Sequence, residues 1–205
     1  LYALTPERAL IPASNEKLVV CGAALLRLGP DFSYQTNLYV TGTIRDTILE
    51  GDLIVTGSGD PSIGGRFYNG DITFLMREWA GVLKEKGIQT IRGNLIGVDD
   101  AFDDEPHGLN WHPSDLIEWY AAEIGALSFN DGCVDIKVLG SSQAGQNASV
   151  TLNPPTQYLS LKAAVQTVAN RNQERGIVVR RESNGTLLDV KGSIRSRGAS
   201  TAFAT

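Results

Sequence analysis

PASNEKLVVCGAALL, residues 12–26, decides how the rest of the chain is read. Pro12 suits a helix start, because its missing N–H is one that the first turn leaves unpaired anyway. Behind it Leu18, Val19, Val20, Cys21, Ala23, Ala24, Leu25 and Leu26 form a nearly unbroken apolar run. The pattern predicts a helix from about Ser14 to Leu28, stopped by Gly29-Pro30. A helix that is apolar on almost every side belongs inside packed protein. Lys17 is out of place on such a helix unless it reaches water or does chemistry. It follows Ser14 by three positions, so the two share one helix face.

Two readings of this pair compete. In the plain one, Ser14 caps the helix and Lys17 snorkels to solvent. In the chemical one, Ser14 is a nucleophile whose proton goes to Lys17. The helix N-terminus favours a developing negative charge through its unpaired N–H groups and dipole. A lysine accepts a proton only as the neutral amine. Lowering an ammonium pKa from ~10.4 to about 7 takes roughly 4 to 5 kcal/mol of desolvation and neighbouring positive charge. Leu18, Cys21, Leu25 and Leu28 extend the stripe beneath the pair and are expected to supply the low-dielectric setting.

The bulk numbers bound the alternatives. The chain has 205 residues, enough for one sizeable domain or two small ones. Its 42% hydrophobic and 20% charged content is ordinary for a folded protein. A net charge of -5 without a basic run argues against nucleic acid as a partner. No apolar stretch approaches the ~20 residues of a membrane span. The chain opens at Leu1 without a signal-peptide pattern, as a mature or trimmed chain would. Cys21 and Cys133 lie in separate apolar runs and are expected to be two buried thiols, not a disulfide. No Cys/His spacing fits zinc, and no cofactor is expected.

Along the chain, residues 1–4 are a candidate strand. YQTNLYVTGTI and GDLIVTGSG alternate as strands do, and Ile72 to Lys86 reads as an amphipathic helix with Leu75, Trp79, Val82 and Leu83 on one face. TIRGNLIGVD is a strand, and residues 99–115 are a polar loop. Leu116 to Ala122 suggests one or two helical turns. LSFNDGCVDIKVLG and ASVTLN are strands, and Ile177–Arg181 with Leu187–Ile194 form a hairpin around Ser183-Asn184-Gly185. The fold class is α+β: a helical start, then a β-rich region, with the boundary near Gly29 to Phe32.

A Ser/Lys pair opening a central helix is the arrangement of serine acyl-transfer enzymes of the β-lactamase and penicillin-binding type. The wider run ALIPASNEKLVVCGAALLRLGPDFSYQT resembles the start of the D-alanyl-D-alanine carboxypeptidase/endopeptidase family, the class C low-molecular-mass penicillin-binding proteins. The resemblance continues through GDLIVTGSGDPSI, IRGNLIGVDDAFDD, GLNWHPSDLIEWYAA, ALSFNDGCVDIKV and LLDVKGSI, in the same order. It implies Ser14 as the acylated nucleophile, Lys17 as its proton acceptor and the Ser14 backbone N–H as half of an oxyanion hole. It implies that residues 1–31 begin a transpeptidase/β-lactamase-like α/β domain and that residues 32–205 are a β-rich insertion of one or two sub-domains. It also implies peptidoglycan stem peptides as substrates, β-lactams as covalent inhibitors and a location in the bacterial cell envelope.

The sequence departs from that family on the facing side of the cleft. Ser128-Phe129-Asn130 matches a Ser-x-Asn motif by letters, which makes Ser128 and Asn130 secondary catalytic candidates; a turn at Asn130-Asp131-Gly132 is the competing reading. Lys191-Gly192-Ser193 resembles Lys-Thr-Gly only loosely and sits in an expected strand. The two motifs are therefore expected beyond residue 205, and the 205-residue piece is expected to be inactive alone. GSGDPSIGGR lacks the Gly-Lys-Ser/Thr of a phosphate loop and reads as a loop after a strand. Asp99, Asp100, Asp103, Asp104, Glu105, His107 and His112 read as a solvated acidic loop, with a hard cation as the lesser alternative. The second functional hypothesis is a non-catalytic envelope module, in which residues 32–194 contact a partner or glycan.

Overall fold

The run from Ala13 to Leu28 folds as the spacing predicts: a 3-10 turn, Ala13–Asn15, leads into α1, Glu16–Leu28. The structure is a computed structural model describing residues 2–105, 107–112, 115, 118–181 and 185–204, without the side chain of residue 203. The chain divides into two units, Leu1–Tyr34 and Gln35–Thr205. In the first, Gly29 ends α1 with a φ of 85° and donates its N–H to the Leu25 carbonyl. Phe32 and Tyr34 then meet edge to face at 5.2 Å. Residues 2–4 form no strand, contrary to the expectation for the N-terminus. No helix among the described residues is long and apolar enough to cross a membrane.

The second unit begins with three strands that all break at one level. The expected strand YQTNLYVTGTI is split into β1 (Asn37–Val40) and β2 (Thr43–Arg45); GDLIVTGSG holds β4 (Leu53–Thr56), preceded by an unexpected β3 (Ile48–Glu50); and TIRGNLIGVD is split into β5 (Thr90–Arg92) and β6 (Leu95–Val98). β1 pairs antiparallel with β4, which pairs parallel with β6; β2, β3 and β5 repeat this pattern. The breaks fall at Thr41-Gly42, Gly51-Asp52 and Gly93-Asn94, where backbones cross too closely for any side chain. A Cβ on Gly51 would lie 2.1 Å from the Thr41 carbonyl oxygen, and one on Gly93 would lie 2.1 Å from that of Gly51. Asp52 ties the break together: its carboxylate accepts from the Asn94 backbone N–H at 2.7 Å and from the Asn94 amide at 3.0 Å. Its own N–H donates to the Thr41 hydroxyl at 3.1 Å.

The parallel pairings require a crossover, and α2 (Phe74–Glu85) supplies it. The start of α2 is fixed by Asp71, which is paired with Arg77 and accepts from the Thr73 N–H at 3.2 Å. Its end is a glycine stop, with Gly87 at φ +84° and the Ile88 N–H returning to the Leu83 carbonyl at 2.9 Å. The face turned to the sheet differs by about one position from the expected one. Met76, Trp79, Ala80 and Leu83 line an apolar cleft against the sheet, whereas Val82 is 48% exposed.

The rest of the unit is a pair of three-stranded sheets. β7 (Val134–Leu139) lies between β12 (Ala199–Ala204) and β8 (Ser149–Asn153), antiparallel to both. β11 (Leu187–Arg195) lies between β10 (Arg175–Arg181), antiparallel, and β9 (Ser160–Val168), parallel. Alternate residues of both sheets meet in one core: Ile136, Val138, Val165, Leu188, Val190 and Ile194. Burial of each such side chain contributes roughly 1.5–3 kcal/mol. The β10–β11 pairing is the expected hairpin, although Ser183 and Asn184 of its turn lie outside the described residues. So do residues 116 and 117 of the expected helical turns, of which Trp119–Ala121 is a single 3-10 turn.

Candidate functional site

Ser14 and Lys17 stand where the 3-10 turn becomes α1. The tightening of the backbone there brings positions i and i+3 onto one edge, and the Lys17 Nζ donates to the Ser14 Oγ at 3.2 Å. That contact is the geometry a proton relay between hydroxyl and amine requires. Two backbone features precede it. Pro12 holds φ at -66°, and Ala13 adopts a left-handed φ of 47°. An alanine in that region costs about 1–2 kcal/mol, and such outliers concentrate at functional sites. Nothing in the letters Pro-Ala-Ser announces this bend, and a sequence reading passes over it.

The surroundings of the pair differ from the expected ones. No residue of α1 is buried: Leu18 is 77% and Leu26 91% exposed. Cys21, expected to be buried, is an exposed free thiol. An apolar helix needs more protein against it than the first unit, 34 residues long, offers.

The secondary candidates occupy other environments. Ser128 lies in the second unit on the wall of the apolar cleft beneath α2. Asn130 is 9% exposed and holds a left-handed φ of 52°. Its N–H donates to the Ile63 carbonyl at 2.8 Å, and its side-chain amide donates to the Cys133 carbonyl at 2.9 Å. These bonds make Asn130 the pin of the turn at residues 130–132, which leads directly into β7. Cys133 is buried beside that turn. Desolvation first, then Asp131 and Asp135, pushes its thiol up to about 11, so it stays protonated at neutral pH. Lys191, Gly192 and Ser193 are interior to β11, as the sequence reading expects, with Lys191 paired to Asp189.

The glycine-rich loop after β4 is explained by packing. A Cβ on Gly57 would stand 2.1 Å from the Ala126 carbonyl oxygen, and one on Gly59 would stand 2.5 Å from the Phe102 ring. Asp60 accepts from the Ser62 N–H at 2.8 Å, which closes the turn. In the acidic loop, the Asp103 carboxylate accepts from the Glu105 N–H at 3.3 Å and His107 packs on Trp111 at 5.7 Å. Among the described residues no three His, Cys, Asp or Glu side chains converge on one point.

The model of the D-Ala-D-Ala carboxypeptidase 3 (S13) family matches residues 1–205. A D-alanyl-D-alanine carboxypeptidase of an Actinomadura species is 29% identical over 205 residues, 97% of this chain and 36% of that protein. The D-alanyl-D-alanine carboxypeptidase DacB of Haemophilus influenzae is 29% identical over 149 residues, 73% of this chain and 29% of that protein. Among solved structures, penicillin binding protein 4 (dacB) from Haemophilus influenzae matches with a TM-score of 0.69 at 24% identity, over 96% of this chain and 42% of that one. The same protein complexed with a novel β-lactam matches with a TM-score of 0.59 at 21% identity, over 96% of this chain and 40% of that one. These likenesses show the fold. The chain spans 29% to 42% of the length of these relatives.

Proposed function

Because the chain belongs to the D-Ala-D-Ala carboxypeptidase 3 (S13) family, we propose that it carries the acylating wall of a serine-type peptidoglycan carboxypeptidase/endopeptidase. The observation that carries this reading is the 3.2 Å contact between Lys17 Nζ and Ser14 Oγ at the head of α1. In the reaction, Ser14 Oγ attacks the carbonyl between two D-alanines while its proton passes to the neutral amine of Lys17. The carbonyl oxygen becomes an oxyanion, held by the Ser14 N–H and the helix N-terminus. Lys17 returns the proton to the departing D-Ala nitrogen, which leaves an ester on Ser14. Water, deprotonated by the same amine, then hydrolyses the ester. A β-lactam presents a strained amide to the same oxygen, which makes it a covalent inhibitor.

In this reading residues 1–31 open the penicillin-binding domain and residues 32–205 are an insertion into it. The exposed apolar side chains of α1 support that assignment, since they match a helix built to lie in the centre of a larger domain. Enclosure by that domain supplies the desolvation that a lysine base needs. The facing Ser-x-Asn and Lys-Thr-Gly motifs would come from polypeptide outside residues 1–205, so these residues alone hydrolyse slowly or not at all. The site of action is the cell envelope, where the stem peptides are. Release of D-Ala from a D-Ala-D-Ala pentapeptide by the longer protein tests the function. Release that disappears in Ser14→Ala supports it. An unchanged rate in that variant contradicts it, as does the absence of any release from the unsubstituted longer protein, which would favour a non-catalytic envelope module.

A further inference from the structure

Charge is unevenly distributed along the chain. Residues 160–205 hold eight Lys and Arg against three Asp and Glu, whereas residues 1–159 hold ten against twenty. Strand register shows where the excess cation goes. On β11, Leu188, Val190 and Ile194 enter the core, so Asp189, Lys191, Ser193 and Arg195 face outward. β9 sets Lys162 beside Asp189 and Gln166 beside Ser193. β10 sets Arg180 beside Asp189 and Arg175 beside Ser193. Among the described strand residues, the outer face of this sheet therefore carries Lys162, Arg175, Arg180, Lys191 and Arg195 around one carboxylate, Asp189. Asp189 is already paired with Lys191, and this bond, with the nearby charges of Lys162 and Arg180, keeps its carboxyl below the usual range. The neighbouring acid, Glu174, accepts from the Arg195 backbone N–H at 2.9 Å. Among the described residues, Lys162, Arg175, Arg180 and Arg195 are in no salt bridge.

A groove of about 480 Å³ runs over the same face, lined by Asn147, Gln166, Gln173, Arg175 and Ser193. The side-chain amides of Asn147 and Gln166 make no hydrogen bond within the described residues. Free amides match sugar hydroxyl and acetamido groups, and the cations beside them match carboxylates. We propose that this face holds peptidoglycan strands, with the amides on the sugar groups and the cations on carboxylates of the attached stem peptides, as a gripping surface for the polymer rather than a reacting site. A lipid bilayer would use the charge alone and leave the amide groove unoccupied. The proposal rests on the reading of the chain as part of a peptidoglycan enzyme and deepens it by assigning a task to the β-rich region.

The test is co-sedimentation of the protein with peptidoglycan sacculi stripped of other attached polymers, across a salt series. The protein is expected to pellet at low salt and to be released as salt rises, since screening weakens exposed charge pairs. The triple substitution Lys162→Gln, Arg175→Gln, Arg195→Gln is expected to weaken binding about tenfold, or about 1.4 kcal/mol. A charge-matched control, Arg45→Gln, Lys84→Gln, Lys86→Gln, should bind as the parent does. Equal losses in both triples overturn the proposal, as do salt-independent binding by the parent and equal or tighter binding to anionic lipid vesicles. Penicillin labelling of the same variants reads the Ser14 chemistry separately, so failure of this surface and failure of the acyl-enzyme are distinguishable.

Discussion

The Nζ of Lys17 lies 3.2 Å from the Oγ of Ser14, one helical turn away and just past a left-handed Ala13. Both ends of this contact are set by backbone, the serine by the 3-10 turn and the lysine by the first turn of α1. If the amine is the proton acceptor, Lys17→Ala in the longer protein lowers the acylation rate by about 10²–10⁴, the usual worth of general-base catalysis. The measurement is the second-order rate of penicillin acylation. A loss under about threefold would return Lys17 to the role of a solvated helix-end charge.

The crossing at Gly51 and Gly93 has no room for a methyl group. Gly93→Ala sets a Cβ 2.1 Å from the Gly51 carbonyl oxygen. Relief requires movement of two strands, so the expected destabilisation is about 1–3 kcal/mol. Urea unfolding of parent and variant checks it. An unchanged midpoint would mean that the three breaks are loosely held.

The two thiols should behave differently. Cys21 is exposed and Cys133 is buried and protonated at neutral pH, so an alkylating reagent at pH 8 should modify Cys21 in the folded 205-residue chain and spare Cys133. Peptide mass spectrometry reads the outcome. The same shift has a stability consequence. The Cys133 thiol ionises near 9.0 when unfolded and near 11 when folded, so the native state retains the proton through that window. Its contribution is complete below pH 9 and lost as the pH rises towards 11, and Cys133→Ala should flatten that part of the stability profile.

Much of this was legible in the letters. α1 declares itself by its apolar run between Pro12 and Gly29, α2 by its period and the glycine that closes it, and Leu187–Ile194 by its alternation. The α+β class and the Ser14–Lys17 spacing follow directly. β9 was not legible: Lys162, Ala163 and Ala164 are helix formers, and only Val165 and Thr167 alternate inward. β3 is three residues long and sits between turns. The coordinated break of three strands was hidden because Gly42, Gly51 and Gly93 align only after pairing. The basic face was hidden for a similar reason, since its cations come from three strands and sum to nothing unusual in the whole-chain charge. Local pattern also could not set the exposure of α1, because burial depends on what else is folded against a helix.

The central claim is that Ser14 is the acylated residue. It is tested most directly by incubating the longer protein with a fluorescent penicillin and locating the label by peptide mass spectrometry. The account predicts one labelled peptide, the one containing Ser14, and no labelled band in Ser14→Ala. A label that persists in Ser14→Ala, or that maps to any other serine, would contradict it.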